Sequence, residues 1–113
     1  LANLIRDVRH DFGVPDLPVS IGVSGQFGYD SADTRVHRTL DDIVDAQFSV
    51  ADDPEFAGTV TSVDTRAFTR TLTESPGEQV YHWNNNCEAY WLIGEAMGQA
   101  MLDLLENGEK LSA

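Results

Sequence analysis

Two short β-type runs flank a segment long enough for one amphipathic helix, and this spacing limits the fold more than any other feature of the sequence. In the first run Val19, Ile21 and Val23 alternate with Ser20, Gly22 and Ser24, as a strand with two unlike faces does. The second run, Thr59-Val60-Thr61-Ser62-Val63, is short and β-branched. Between them Val36, Leu40, Ile43, Val44 and Gln47-Phe48 recur at steps of three and four. Asp33 or Thr34 is placed to cap this helix and Asp52-Asp53-Pro54 to end it. A connection of that length predicts parallel strands rather than a hairpin.

Helical patterns also lie outside the two runs. Leu1, Leu4, Ile5, Val8 and Phe12 share one stripe, Gly13 stands where a left-handed C-cap belongs, and Val14-Pro15-Asp16-Leu17-Pro18 breaks the helix. At the other end Asn85 followed by Glu88 resembles a capping box. Cys87, Tyr90, Trp91, Gly94, Met97, Gly98, Met101 and Leu105 then trace a predicted buried stripe that stops near Asn107-Gly108. Gly94 and Gly98 are read as letting this helix approach a sheet closely. The order helix, strand, helix, strand, helix predicts an α/β fold with a parallel sheet and helices on both faces. Two strands are too few for such a sheet, so its edges should be covered by further N-terminal strands of the same domain or by a homo-oligomer. The sequence starts at Leu1 inside a helical pattern, and residues 1–113 are therefore expected to be the C-terminal part of a single larger domain.

Charge narrows the function. Nineteen acidic residues against seven basic ones give a net charge of −12, which repels nucleic-acid phosphates and anionic lipid. Neither nucleic acid nor membrane is an expected partner. No stretch approaches the roughly 20 apolar residues of a membrane span, and Leu1-Ala2-Asn3 carries no signal-peptide features. Localisation stays open, with secretion or a periplasmic location compatible. A single cysteine, Cys87, forms no internal disulfide and no cysteine-based zinc cage. Lysine occurs once, at Lys110, and such an acid-rich surface is expected where high salt screens self-repulsion.

Two loops are candidates for function. Residues 25 to 33 leave the carboxyl end of the first strand, where open α/β sheets place ligand loops. Residues 67 to 83 form a connection longer than such units usually have, and it carries His82.

Several segments together resemble a known family. They are Leu4-Ile5-Arg6-Asp7-Val8-Arg9, the break Gly13 to Pro18, Val63-Asp64-Thr65-Arg66, and above all Tyr81-His82-Trp83-Asn84-Asn85-Asn86-Cys87-Glu88-Ala89-Tyr90 followed by Leu92-Ile93-Gly94-Glu95-Ala96-Met97-Gly98. In order and spacing they are similar to the C-terminal half of sialate O-acetylesterase-like members of the SGNH hydrolase superfamily. The resemblance implies a flavodoxin-like three-layer α/β/α sandwich and a serine–histidine carboxylic-ester hydrolase that removes acetyl groups from carbohydrates without a metal or cofactor. It places the nucleophilic serine and the oxyanion-hole residues N-terminal to this chain, so residues 1–113 alone should be inactive. Ser24 reads as a turn serine.

The resemblance makes His82 the general base, since the family's histidine lies in a loop just before the last helix. Imidazole suits that work, because it takes a proton and returns it near neutral pH. The competing reading is a loop histidine with structural hydrogen bonds. The family usually has an aspartate three residues before the histidine, but here that residue is Gln79. Glu78 is the first candidate for the orienting acid and Asp64, at a strand end, the alternative; each also reads as an ordinary solvated or turn-capping acid. Glu88 reads as a helix cap, and His10 and His37 as solvated. His82, Cys87 and Glu88 lack zinc-site spacing, and Gly22-Val23-Ser24-Gly25 is neither a P-loop nor a dinucleotide fingerprint. The rival to an esterase is a non-catalytic α/β module that binds carbohydrate or a protein partner.

Overall fold

In a computed structural model of the protein, β1 (Val19–Gly22) and β2 (Val60–Val63) pair in parallel, with Val19 opposite Val60 and Gly22 opposite Val63. The structure describes residues 1–29, 34–77, 79 and 81–112, those of 34–37 and 108–112 in backbone only. Three helices accompany the strands in the expected order: α1 (Ala2–Phe12), α2 (Thr34–Ala51) and α3 (Cys87–Ser112). Asp33, one of the two expected caps of α2, and Glu78 lie outside the described residues. The architecture is mixed α/β, built on a two-stranded parallel sheet.

Alternation along the strands sorts the contacts. On one side Ile21 and Val60 join Ile5 of α1 and Phe56 in a buried cluster, with Val19, Val50 and Ala51 packed against it. The hydroxyl of Ser62, which pairs with Ile21, donates to the Gln47 carbonyl of α2 at 2.9 Å. The out-of-phase residues meet α3: Ser20 Oγ donates to the Met97 carbonyl at 3.4 Å. A Cβ on Gly22 would sit 2.8 Å from Met97 Sδ. Phe56, fully buried, closes the cluster from a 3-10 turn whose first residues are held by Asp53, its carboxylate accepting from the Glu55 amide at 2.9 Å. Burial of one such ring contributes about 2–3 kcal/mol.

The end of α1 follows the sequence expectation. Gly13 adopts φ 65°, ψ 27°, and its amide donates to the His10 carbonyl, as a left-handed cap does. Arg9, which carries no apolar signal, is buried here: its guanidinium donates to the Leu17 carbonyl and to Thr59 Oγ1 and lies over the Phe56 ring. Leu1, Leu4 and Phe12 of the predicted stripe are exposed.

The last helix departs further from expectation. It runs through Gly108 to Ser112. Its buried side is Ala89 and Leu104, with Leu92, Ile93, Ala96, Met97, Ala100 and Met101 half-buried. Cys87, Tyr90, Trp91, Gly94, Gly98 and Leu105 of the predicted stripe face outward. The reason is that α3 is apolar on most of its circumference, so period alone does not choose the side that meets the sheet. Gly94 and Gly98 do not serve close packing within the chain, because a Cβ at either would meet nothing within 4 Å. Each costs the helix about 1 kcal/mol relative to alanine.

Candidate active site

The carboxyl ends of β1 and β2 cross closely. Val23 continues the pairing, its amide donating to the Val63 carbonyl, while the Thr65 hydroxyl donates to the Val23 carbonyl at 2.7 Å. Gly25 is required by this crossing, since a Cβ there would lie 2.5 Å from Thr65 Oγ1 and 2.7 Å from the Arg66 nitrogen. The Gly25 carbonyl accepts from Thr69 Oγ1 at 3.0 Å, which fixes where Gln26 and Phe27 emerge. Ser24 is tied to α2: its amide donates to Gln47 Oε1 and its Oγ accepts from Gln47 Nε2. That is the structural role expected of a turn serine.

His82 sits on a backbone turn of the opposite hand to an ordinary helix. His82, Trp83, Asn84 and Asn85 have φ between 52° and 54°, four successive left-handed residues. Asparagine and histidine enter this region more readily than most residues, whereas each step generally costs about 1–2 kcal/mol. Side-chain amides hold the turn in place. Asn84 Nδ2 donates to the Arg70 carbonyl at 2.7 Å and Asn85 Nδ2 to Gln79 Oε1 at 2.8 Å. The buried Asn86 caps α3, its Oδ1 accepting from the Ala89 amide at 3.1 Å while its Nδ2 donates to the Glu74 carbonyl at 3.0 Å. The cap is thus one residue later than the sequence pattern places it. Glu88 does not reach back as a capping-box partner; it accepts from Arg70 Nε at 2.9 Å and raises the pKa of that guanidinium.

The turn delivers His82 to an open cleft of about 420 Å³ lined by Gln26, Tyr81, His82, Trp83 and Tyr90. The loop after β1 and the entrance to α3 therefore share one site. Phe27 packs edge-on against Tyr81, with ring centres 6.5 Å apart. Tyr90 Oη donates to the His82 carbonyl at 3.0 Å and so pins the backbone of the histidine from the first turn of α3. The imidazole is exposed, and among the described residues no side chain hydrogen-bonds to it. Such a ring is free to address a ligand.

The two candidate acids fare differently. Glu78 lies outside the described residues. Asp64 stands at the end of β2, where Arg66 Nε and an Arg66 terminal nitrogen donate to its two oxygens at 2.9 and 2.7 Å. Tyr29 Oη adds a 3.3 Å bond, and the Arg66 guanidinium stacks 4.7 Å over the Tyr29 ring. Arg66 holds the Asp64 carboxyl below the ordinary aspartate value. This group anchors the loop after β1; no hydrogen bond links Asp64 to His82. Among the described residues no three His, Cys, Asp or Glu side chains converge as metal ligands would, and no helix is long and apolar enough to cross a membrane.

Gln26, Tyr81, Trp83 and Tyr90 were not read from the sequence as site residues. Their available signal was the Asn84-Asn85-Asn86 run, which marks special backbone geometry and hence a fixed presentation of its neighbours. No family model, no curated protein and no solved structure matches the chain.

Proposed function

We propose that the chain is the C-terminal part of an SGNH-type, three-layer α/β/α carbohydrate O-acetylesterase, in which His82 is the general base. The observation that carries this reading is the exposed His82 ring, held by a left-handed turn in a cleft shared with the loop at the carboxyl end of β1. Open α/β folds use that end of their strands for ligands. Among the described residues the outer edges of the two strands have no strand partner, and together with the exposed apolar residues Leu4, Phe12 and Trp91 they support further protein, an N-terminal half of the domain or a second copy, packed around this unit.

In the proposed reaction a serine from the N-terminal half attacks the acetyl carbonyl while His82 takes the hydroxyl proton. The imidazolium then returns that proton to the departing sugar oxygen, leaving an acetyl-serine that water cleaves by the same route in reverse. Tyr90, through the His82 carbonyl, keeps the ring at the cleft. Glu78 is the first candidate to orient the imidazole and Asp64 the second. Gln79, bonded to Asn85, stands at the family's usual acid position and favours the rival reading as a binding module.

The test is His82→Ala in the full-length protein that contains these residues. Deacetylation of an acetylated sugar should fall by about 10³-fold or more with folding unchanged, as loss of a triad base does. Near-normal turnover removes His82 from the mechanism, and loss of the folded state assigns it to structure. Glu78→Gln and Asp64→Asn rank the acids, the first expected to cut turnover and the second to cost mainly stability. If neither lowers turnover, a serine–histidine dyad remains.

A further inference from the structure

At the far end of the sheet from the His82 cleft lies a depression of about 420 Å³ lined by Arg6, Arg9, His10, Gly13, Pro15 and Glu55. Arg9 marks that end, being bonded to Leu17 and Thr59 just ahead of β1 and β2. It is 9% exposed, yet its acceptors are a carbonyl and a hydroxyl, and among the described residues no carboxylate bonds to it. Buried charges are normally matched by an opposite charge. The one carboxylate in the lining, Glu55, is taken by Arg6, whose Nε donates to it at 2.8 Å and whose terminal nitrogen donates to its other oxygen. Arg9 spends Nε and Nη2 inward and has Nη1 left over. Among the described residues no buried side-chain nitrogen lacks a hydrogen-bond partner, so this unpartnered Nη1 opens onto the depression that Arg9 lines. The Phe56 ring lies against the guanidinium groups of Arg6 and Arg9, at 5.8 and 5.4 Å, so Arg9 is held where it stands.

With His10 neutral, Arg6 and Arg9 against Glu55 leave one positive charge in excess, in a chain whose net charge is −12. That excess suits a single carboxylate, whereas a dianion such as phosphate would meet Glu55 as well. A guanidinium amino group is a strong, charge-assisted donor to a carboxylate oxygen. Gly13 and Pro15 line the space beside it with no polar side chain and leave room for a short apolar body. This flank is not the apolar one. Along α1, Leu4, Val8 and Phe12 form one four-residue row and Arg6 and His10 another, with the buried Ile5 and Arg9 between them. We propose that the depression is a binding site for a small organic acid with a single carboxylate, which accepts from Arg9 Nη1 and lays its apolar body against Pro15. The site does not rest on the esterase reading.

Titration calorimetry in low-chloride buffer, on the full-length protein that contains these residues, tests this with butyrate and benzoate against butyramide, benzamide, sulfate and phosphate. At least one acid should bind about tenfold or more tightly than its own amide and than either inorganic anion. Glu55→Gln removes the competing negative charge and should tighten the acid about threefold or more, whereas Arg6→Gln frees Glu55 to turn to Arg9 and should weaken it about tenfold. Both residues are exposed, so these variants read the site on a folded protein. Arg9→Lys keeps the charge without the free amino group and should abolish the preference for acid over amide. Where its melting temperature shows that it does not fold, the Arg6 and Glu55 variants decide. A purely structural cluster gives a different pattern: Arg6→Gln and Glu55→Gln lower the melting temperature alike and leave binding untouched, which overturns the proposal. No saturable binding of either acid at millimolar concentration overturns it too, as does an inorganic anion bound as tightly as the acid. His82→Ala should leave acid binding unchanged, and loss of binding there would move the acid to the other cleft and defeat this site.

Discussion

Replacing Asn86 by alanine takes away two kinds of bond at once. The side-chain oxygen caps α3 through the Ala89 amide, and loss of such a cap costs about 1 kcal/mol. The side-chain amide donates to the Glu74 carbonyl at 3.0 Å and to Ser75 Oγ at 3.3 Å, and Asn86 itself is only 6% exposed. A buried acceptor left without its donor costs about a further 1–2 kcal/mol. Asn86→Ala should therefore lower the unfolding free energy by about 2–3 kcal/mol, measured from urea denaturation at unchanged slope. Asn86→Asp keeps the capping oxygen, adds a charge that suits a helix N-terminus and loses only the amide donor, so it should fall between wild type and alanine. Because Asn86 follows the left-handed turn directly, the deacetylation proposed above should drop in both variants by more than unfolding accounts for. An alanine variant within 0.5 kcal/mol of wild type, on the scale of an ordinary surface change, would refute the view that this one side chain joins the helix to the turn.

Three further outcomes follow from the same structure. Gly25→Ala should destabilise by about 1–3 kcal/mol, because the new methyl meets the Thr65 hydroxyl and the Arg66 backbone, which cannot both move; an unchanged thermal midpoint would contradict this crossing geometry. Arg66 keeps the folded-state pKa of Asp64 below its unfolded value, so the stability it contributes is complete above the ordinary aspartate range and is lost as pH falls through the lower, folded value. Asp64→Asn should therefore flatten the acid limb of a melting-temperature profile, and an unaltered limb would show that Arg66 does not act on Asp64 in solution. Raising sodium chloride to about 1 M shortens the screening length to roughly 3 Å, so the melting temperature of this acidic chain should rise, and a flat response would count against a salt-adapted surface.

The element order was legible because each signal was local. Val19-Ser20-Ile21 alternates, Gly13 supplies a left-handed cap, and the span between the strands is helical, and all three appear where expected. What failed was the choice of face. In α3 the sequence pattern selects Cys87, Tyr90 and Trp91 as buried, yet Ala89 and Leu104 meet the interior, since a helix with apolar residues on most sides carries no preferred direction. Arg9 escaped notice for the opposite reason: its burial depends on the distant Leu17 carbonyl and Thr59 hydroxyl. For the site, His82 was singled out through family resemblance and position, and the structure places it in the lining of a cleft. Gln26, Trp83 and Tyr90 were not, because the Asn84-Asn85-Asn86 run marks special backbone geometry without saying which distant side chains the turn brings together.

The parallel pairing of β1 with β2 also bears on how the chain reaches its native state. No tight turn can bring Val19 beside Val60, because the whole of α2 lies between them. The first hydrogen bond between the strands therefore requires the segment between them to fold back, and the entropy of closing so long a loop is spent before any strand contact repays it. Sheet formation and helix docking should occur as one late, cooperative step, with the slow folding expected of distant pairings. Until then both strands expose every backbone donor and acceptor along their edges, so the newly made chain is most prone to self-association before α2 has docked.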